Sequence, residues 1–268
     1  MCLLLVVASG VAAEAPCPAP GLPAYAHNDY DNPQPLFDAL RLGYRGVEAD
    51  VFLVEGELRV AHDRKLARSG RTLQSLYLDP LREIVGRCGR VCPDSAPFLL
   101  NVEIKEASPA TFDSLISLLR RYSEILSGVA HGVERSKAVE VVLVGWHPPL
   151  PDLEGEPLRL VRVQLELVER SMVVDSSAVV RLVSLNYGKT IRWSGRAPLP
   201  ASSRAWLEVL QRAKHTTPGR IARVYNVPPR SEIYRLLLAS GVDLLGTKDL
   251  EATRRALVAL PPGGGVEP

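Results

Sequence analysis

The chain has 268 residues, enough for one large core in a single domain. A formal net charge of +2 is too small to imply nucleic acid or an anionic membrane as an obligate partner. Beyond the N-terminus no apolar run reaches the roughly 18 residues that suggest a membrane-spanning helix, so no stable membrane insertion is expected.

At the N-terminus, MCLLLVVASGVAA is apolar and ends in small residues. It reads as a secretory signal over residues 1–13, cleaved near Ala13, although it lacks a basic leading region. The other reading is a buried N-terminal helix. A signal implies export to a periplasmic or extracellular compartment, followed by a Pro-rich linker over residues 14–22. Cys17 has no lipoprotein-type context. Cys88 and Cys92 lie four apart in a Gly- and Pro-rich loop, where a local disulfide and two free thiols are both compatible with the sequence. No matching Cys or His pair supports zinc.

From residue 23 to residue 260 strand-like and helix-like segments alternate. PAYAH ends at His27, and PLFDALRLG predicts a helix closed by Gly43. GVEADVFLV carries Glu48 and Asp50. ELRVAH follows after Glu55-Gly56-Glu57, a hairpin signal, and ends at His62. RTLQSLYLDPLREIV predicts a helix, and FLLNVEIK carries Glu103 and Lys105. Ser108-Pro109 opens a helix expected to run through Leu126. The strands VEVVLVG, LVRVQLEL, VVRLVSLN, IARVYNV and VDLLGT follow, with helices expected at Ser202 to Lys214, Ser231 to Ala239 and Glu251 to Leu260. The tail, residues 261–268, is expected to be disordered.

Most of these strands are continuous Val, Leu and Ile runs, the pattern of strands covered on both faces. With the hairpin return set aside, eight strands alternating with helices predict a single (β/α)8 TIM barrel. Barrel active sites lie at the C-terminal strand ends, which gathers His27, Glu48, Asp50, His62, Glu103 and Lys105. Side chains two apart on a strand share a face, so Glu48 and Asp50 point the same way. Three carboxylates converging at one mouth suit one hard divalent cation, Mg²⁺ or Ca²⁺. Two histidines beside it suit proton transfer at a phosphodiester.

The run HNDYDNPQPLFDALRLGYRGVEADVFLVEGELRVAHD resembles the opening of the glycerophosphodiester phosphodiesterase superfamily, also called PLC-like phosphodiesterases. The pattern of His, Glu-x-Asp, His-Asp and Glu-x-Lys falls on His27, Glu48/Asp50, His62/Asp63 and Glu103/Lys105. His-Asn-Asp-Tyr in place of His-Arg-Gly, with RTLQSLYLDPL, resembles the branch of the altered-inheritance-of-mitochondria type. The resemblance is dense over residues 25–106 and thinner to about 250; Thr247-Lys248 stands where that superfamily has Thr-Asp. It implies a phosphodiesterase barrel with one ion on Glu48, Asp50 and Glu103, and His27 and His62 as acid and base. Asn28 replaces an arginine that sits by the phosphate in relatives, leaving Lys105 as the expected cation there.

The expected activity is hydrolysis of a small phosphodiester or lipid headgroup by a monomer, with Asn28, Lys105, Trp146 and Asn186 at the substrate. Gln164, Glu166 and Asn226 are further strand-end candidates for the pocket. Two other functions remain open from the residues: a barrel glycosidase using Glu48 and Glu103, and a non-catalytic binder of phosphorylated ligands.

Overall fold

The computed structural model describes residues 17–260, so the N-terminal signal expected over 1–13 and the tail over 261–268 lie outside the described residues. Among those described, eight parallel strands line up in chain order. They are β1 (Leu22–Ala26), β2 (Tyr44–Val54), β3 (Phe98–Ile104), β4 (Val139–Gly145), β5 (Val161–Glu166), β6 (Val180–Asn186), β7 (Ile221–Tyr225) and β8 (Leu244–Thr247). Strand β1 pairs with β8, Ala24 opposite Leu245, and also with β2, Tyr25 opposite Gly46, so the sheet closes on itself. This is the expected (β/α)8 barrel. The predicted hairpin is present: Glu57–Val60 runs antiparallel to the overhanging end of β2. Its turn uses Glu55 and Gly56 at φ 51° and 80°, the positive pair that a two-residue hairpin requires.

Helices α1 (Phe37–Arg41), α2 (Asp79–Cys88), α3 (Pro109–Arg120), α4 (Leu150–Gly155), α5 (Ala201–His215), α6 (Ser231–Ala239) and α7 (Leu250–Val258) cover the barrel. Most of the apolar core lies between strands and helices, and a smaller cluster of Tyr25, Leu99, Val142, Leu182 and Leu244 fills the barrel's interior. Helix α3 begins as the sequence predicts, with the Ser108 side chain accepting from Thr111 N–H and Pro109 in the first turn. It ends six residues short of the expected Leu126. The backbone at Ile125 and Ser127 hydrogen-bonds to Val139 at the start of β4, and strand pairing wins over the last helical turns. The helix expected from RTLQSLYLDPLREIV starts as a wide π-turn at Gln74–Leu78 before α2. Pro80 lacks an N–H and crowds the carbonyl four residues earlier, which accounts for the local widening. The crossover from β5 to β6, residues 167–179, has no helix, and Arg220 pins it by donating to the carbonyls of Asp175 and Ser177.

A local Cys88–Cys92 bridge is not what forms. Cys88 bonds Cys17, 71 residues away, with Cα atoms 5.9 Å apart, and Cys92 is a buried free thiol. Cys88 ends α2, and Gly89 turns the chain with φ 75°, after which Cys92 packs into the outer core. The bridge ties the segment before β1 to α2. Among the described residues no helix is long and apolar enough to cross a membrane.

Candidate active site

Strand alternation and parallel register build the site. On β2, Glu48 and Asp50 face inward; on β3, Glu48 lies opposite Asn101 and Asp50 opposite Glu103. One carboxylate oxygen from each of Glu48, Asp50 and Glu103 lies within 4.8 Å of the others. Glu48 and Asp50 are fully buried, while Glu103 reaches the cleft. Burial, partly offset by Arg223 and reinforced by Asp50 and Glu103, pushes the Glu48 carboxyl up to about 7. Asp50 Oδ1 is buried with no partner among the described residues, an oxygen placed as a free ligand atom.

Each histidine touches a different carboxylate of this cluster. His27, at the end of β1, places Nε2 3.3 Å from Glu48 Oε1 and meets the Tyr225 ring edge-on at 5.7 Å. Burial, then the charges of Arg223 and Lys248, lower His27 to about 3, so its imidazole is neutral at pH 7. His62, following the hairpin return, places Nδ1 3.1 Å from Asp50 Oδ2. The same Oδ2 accepts from Tyr30 Oη at 2.7 Å, and Tyr30 Oη is also 3.4 Å from His62 Nδ1. The His27 side chain is 15% exposed and that of His62 57%, so His62 is the imidazole that faces solvent.

Asn28 sits at φ 54°, a left-handed conformation that asparagine tolerates, and its side-chain amide lies 3.5 Å from His62 Nδ1. Lys105 Nζ lies 3.0 Å from Glu103 Oε1 and 3.3 Å from Asp50 Oδ2. Burial lowers its basicity, but Asp50 and Glu103 outweigh that and hold it above the ordinary lysine value. Asn186, at the end of β6, adjoins the cleft through Tyr225. Trp146 is placed differently from expectation. It packs half-buried against the outer core, and Val144 and Gly145 at the end of β4 line the cleft in its stead.

The residue that sequence reasoning missed is Arg223. It is buried on β7, with its guanidinium 4.1 Å from the Tyr25 ring centroid and 5.1 Å from that of Tyr225. Nη2 donates to Glu48 Oε2 at 2.8 Å, and Nη1 donates to Gln164 Oε1. Gly246 makes room for this stack, because a Cβ there would stand 2.4 Å from the Tyr25 ring. The signal was present: an arginine inside the apolar run IARVY needs a buried partner as much as Glu48 does. Tyr225 Oη donates to Glu166 Oε1 at 2.6 Å, and Gln164 and Glu166 both line a cleft of about 210 Å³ together with His27, Glu48, Glu103 and Arg223.

Residues 19–96 match the AIM6-like phosphodiesterase domain. The match bears out the resemblance drawn from residues 25–106 as far as residue 96. The altered inheritance of mitochondria protein 6 homolog of Arthroderma benhamiae is 36% identical over 78 residues, 27% of this chain and 25% of that protein. Altered inheritance of mitochondria protein 6 of Eremothecium gossypii is 26% identical over 266 residues, covering 86% of this chain and 68% of that one. This chain therefore spans only a quarter of the first relative's length. Among solved structures, a glycerophosphodiester phosphodiesterase from Parabacteroides distasonis superposes with a TM-score of 0.53 at 14% identity, covering 88% of this chain and 96% of that one, a likeness of fold. The similarity to a phosphodiesterase domain thus lies in residues 19–96, which carry His27, Glu48, Asp50 and His62, and the likeness to the solved structure is one of barrel fold.

Proposed function

We propose that this chain hydrolyses a phosphodiester of the glycerophosphodiester or lipid-headgroup class with the help of one divalent cation. The observation that carries the reading is the joint placement of three carboxylate oxygens within 4.8 Å and two imidazoles, each against a different member of that trio. The donor set fits a hard cation: all three are oxygen ligands, one of them buried and unpartnered, and the two nearby cations, Lys105 and Arg223, do not outnumber them. Glu48, Asp50 and Glu103 would hold the ion. When bound, it supplies positive charge to the non-bridging oxygens of the ester.

The chain's own residues do the rest. One imidazole takes the proton of the attacking hydroxyl and the other gives a proton to the leaving oxygen. Asp50 and Tyr30 orient His62, and the Tyr225 ring confines His27. Lys105 adds a second positive charge at the mouth. Arg223 lines the cleft with a side chain only 2% exposed, lies against two tyrosine rings and donates to Glu48, so it positions a ligand residue and does not replace the absent phosphate arginine. The Cys17–Cys88 bridge supports a further part of the proposal, export to an oxidising compartment.

The test is hydrolysis of bis-para-nitrophenyl phosphate with Mg²⁺, Ca²⁺ and Mn²⁺ in turn. The expected activity is abolished by EDTA and falls about 100-fold or more in His27→Ala. Undiminished turnover by that variant, or EDTA-insensitive activity confined to a nitrophenyl glycoside, would overturn the assignment.

A further inference from the structure

A second cleft, of about 280 Å³, is lined by Tyr30 and His62 but not by Glu48 or Glu103. Tyr30, Asp31, His62, Leu66, Arg68 and Arg71 line it. The segment between the hairpin return and the π-turn is rich in cations: Arg64, Lys65, Arg68 and Arg71 against the single carboxylate of Asp63. Arg64 is already committed to Glu106. The two arginines in the cleft are not committed to any anion. Arg71 is half-buried and spends one nitrogen, Nη2, on the Tyr30 carbonyl at 2.8 Å. That bond fixes the guanidinium's place without neutralising it. The Arg68 side chain has no hydrogen-bond or ion-pair partner among the described residues. Asp31 is the only carboxylate lining the cleft, and it is unpaired as well, so the lining is net cationic.

We propose that this cleft binds a second phosphate, a monoester carried by the headgroup of the substrate. Two guanidinium forks facing one small cavity match the geometry and charge of a phosphate dianion. His62 is common to the cleft and to the acid–base pair, so a headgroup seated here lies beside the scissile ester; this orientation rests on the phosphodiesterase reading. Leu66, half exposed at the cleft's edge, offers apolar contact to the carbon skeleton between the two phosphates.

Two measurements on the full chain test this separately. In the metal-free protein, binding of inorganic phosphate is followed by calorimetry in wild type and in Arg68→Gln, a position whose exposed side chain makes no hydrogen bond or ion pair among the described residues. With Mg²⁺ present, kcat/KM is compared for glycerophosphoinositol 4-phosphate and glycerophosphoinositol. Arg68→Gln is expected to weaken phosphate binding about tenfold and to lower the ratio of the two kcat/KM values about tenfold, the usual scale for one charge-assisted pair. Arg71→Gln is expected to act in the same direction. If neither substrate is turned over but phosphate binding still depends on Arg68, the cleft stands and the hydrolase reading fails. Phosphate binding that is indifferent to Arg68, or an unchanged kcat/KM ratio in an active enzyme, overturns the proposal.

Discussion

Arg223 Nη2 on β7 and Glu48 Oε2 on β2 meet at 2.8 Å across the inside of the barrel, 175 residues apart in sequence and both 2% exposed at the side chain. A buried ion pair adds little over well-packed apolar groups, but removing one partner strands the other charge. Replacing Arg223 with Met should therefore cost roughly 3 kcal/mol of unfolding free energy in a urea titration. Arg223→Lys should recover less than half of it. Lysine cannot donate to Glu48 and Gln164 together from between two tyrosine rings. Wild-type stability in the Met variant would show that Glu48 does not depend on this pair.

Tyr30 holds the other half of the site. Its hydroxyl donates to Asp50 Oδ2 at 2.7 Å and lies 3.4 Å from His62 Nδ1. Tyr30→Phe keeps the ring in the core and removes only the hydroxyl that orients both groups. Losses of this kind behind metal-binding and acid–base residues run about tenfold or more. The expected result is a kcat for EDTA-sensitive hydrolysis lowered about tenfold, with a melting temperature close to wild type. An unchanged kcat would remove Tyr30 from the orienting role.

Much of this arrangement is legible in the sequence because it is local. The Val- and Leu-rich runs specify β2 to β8, and the spacing of Glu48 with Asp50 fixes a shared face once β2 is recognised as a strand. What is not legible depends on partners far away in the chain. IARVY reads as an apolar strand, and nothing near Arg223 reveals that Glu48 and Tyr25 receive it. Cys88 has a neighbour four residues away that looks like a partner, yet it bonds one 71 residues back. The end of α3 illustrates the same limit. Helical propensity continues towards Leu126, and the competing hydrogen bonds come from β4.

Asp29 should make stability depend on pH. Burial raises its carboxyl to about 6 from 3.8, even though Leu36 N–H and the Asn32 amide donate to it. Its native pKa lies above its unfolded one, so the folded state binds more protons between those values. The group's favourable contribution is complete below about pH 4 and is lost as pH rises through about 6. Asn cannot titrate and keeps an acceptor for Leu36. Relative to wild type, Asp29→Asn should gain on the order of 2–3 kcal/mol between pH 4 and pH 7 in paired denaturant titrations. A difference that stays flat over that range would mean Asp29 is ionised in the native protein throughout.

The Cys17–Cys88 bridge closes a loop of 71 residues that contains β1, α1, β2, the hairpin and α2. Crosslinking a loop of that length restricts the unfolded chain by about 4 kcal/mol in the entropic account, an upper figure. Cys17→Ser, or reduction under native conditions, should therefore lower unfolding free energy by roughly 2–4 kcal/mol. The site should lose little activity, because Glu48, Asp50, Glu103 and both histidines sit at the opposite, C-terminal ends of their strands. Cys92 provides the internal control. Burial pushes its thiol up to about 11, so in the folded, oxidised protein it should resist a thiol reagent until the chain unfolds. Rapid labelling of Cys92 in the folded protein would contradict its burial, and unchanged stability in Cys17→Ser would contradict the contribution of the bridge.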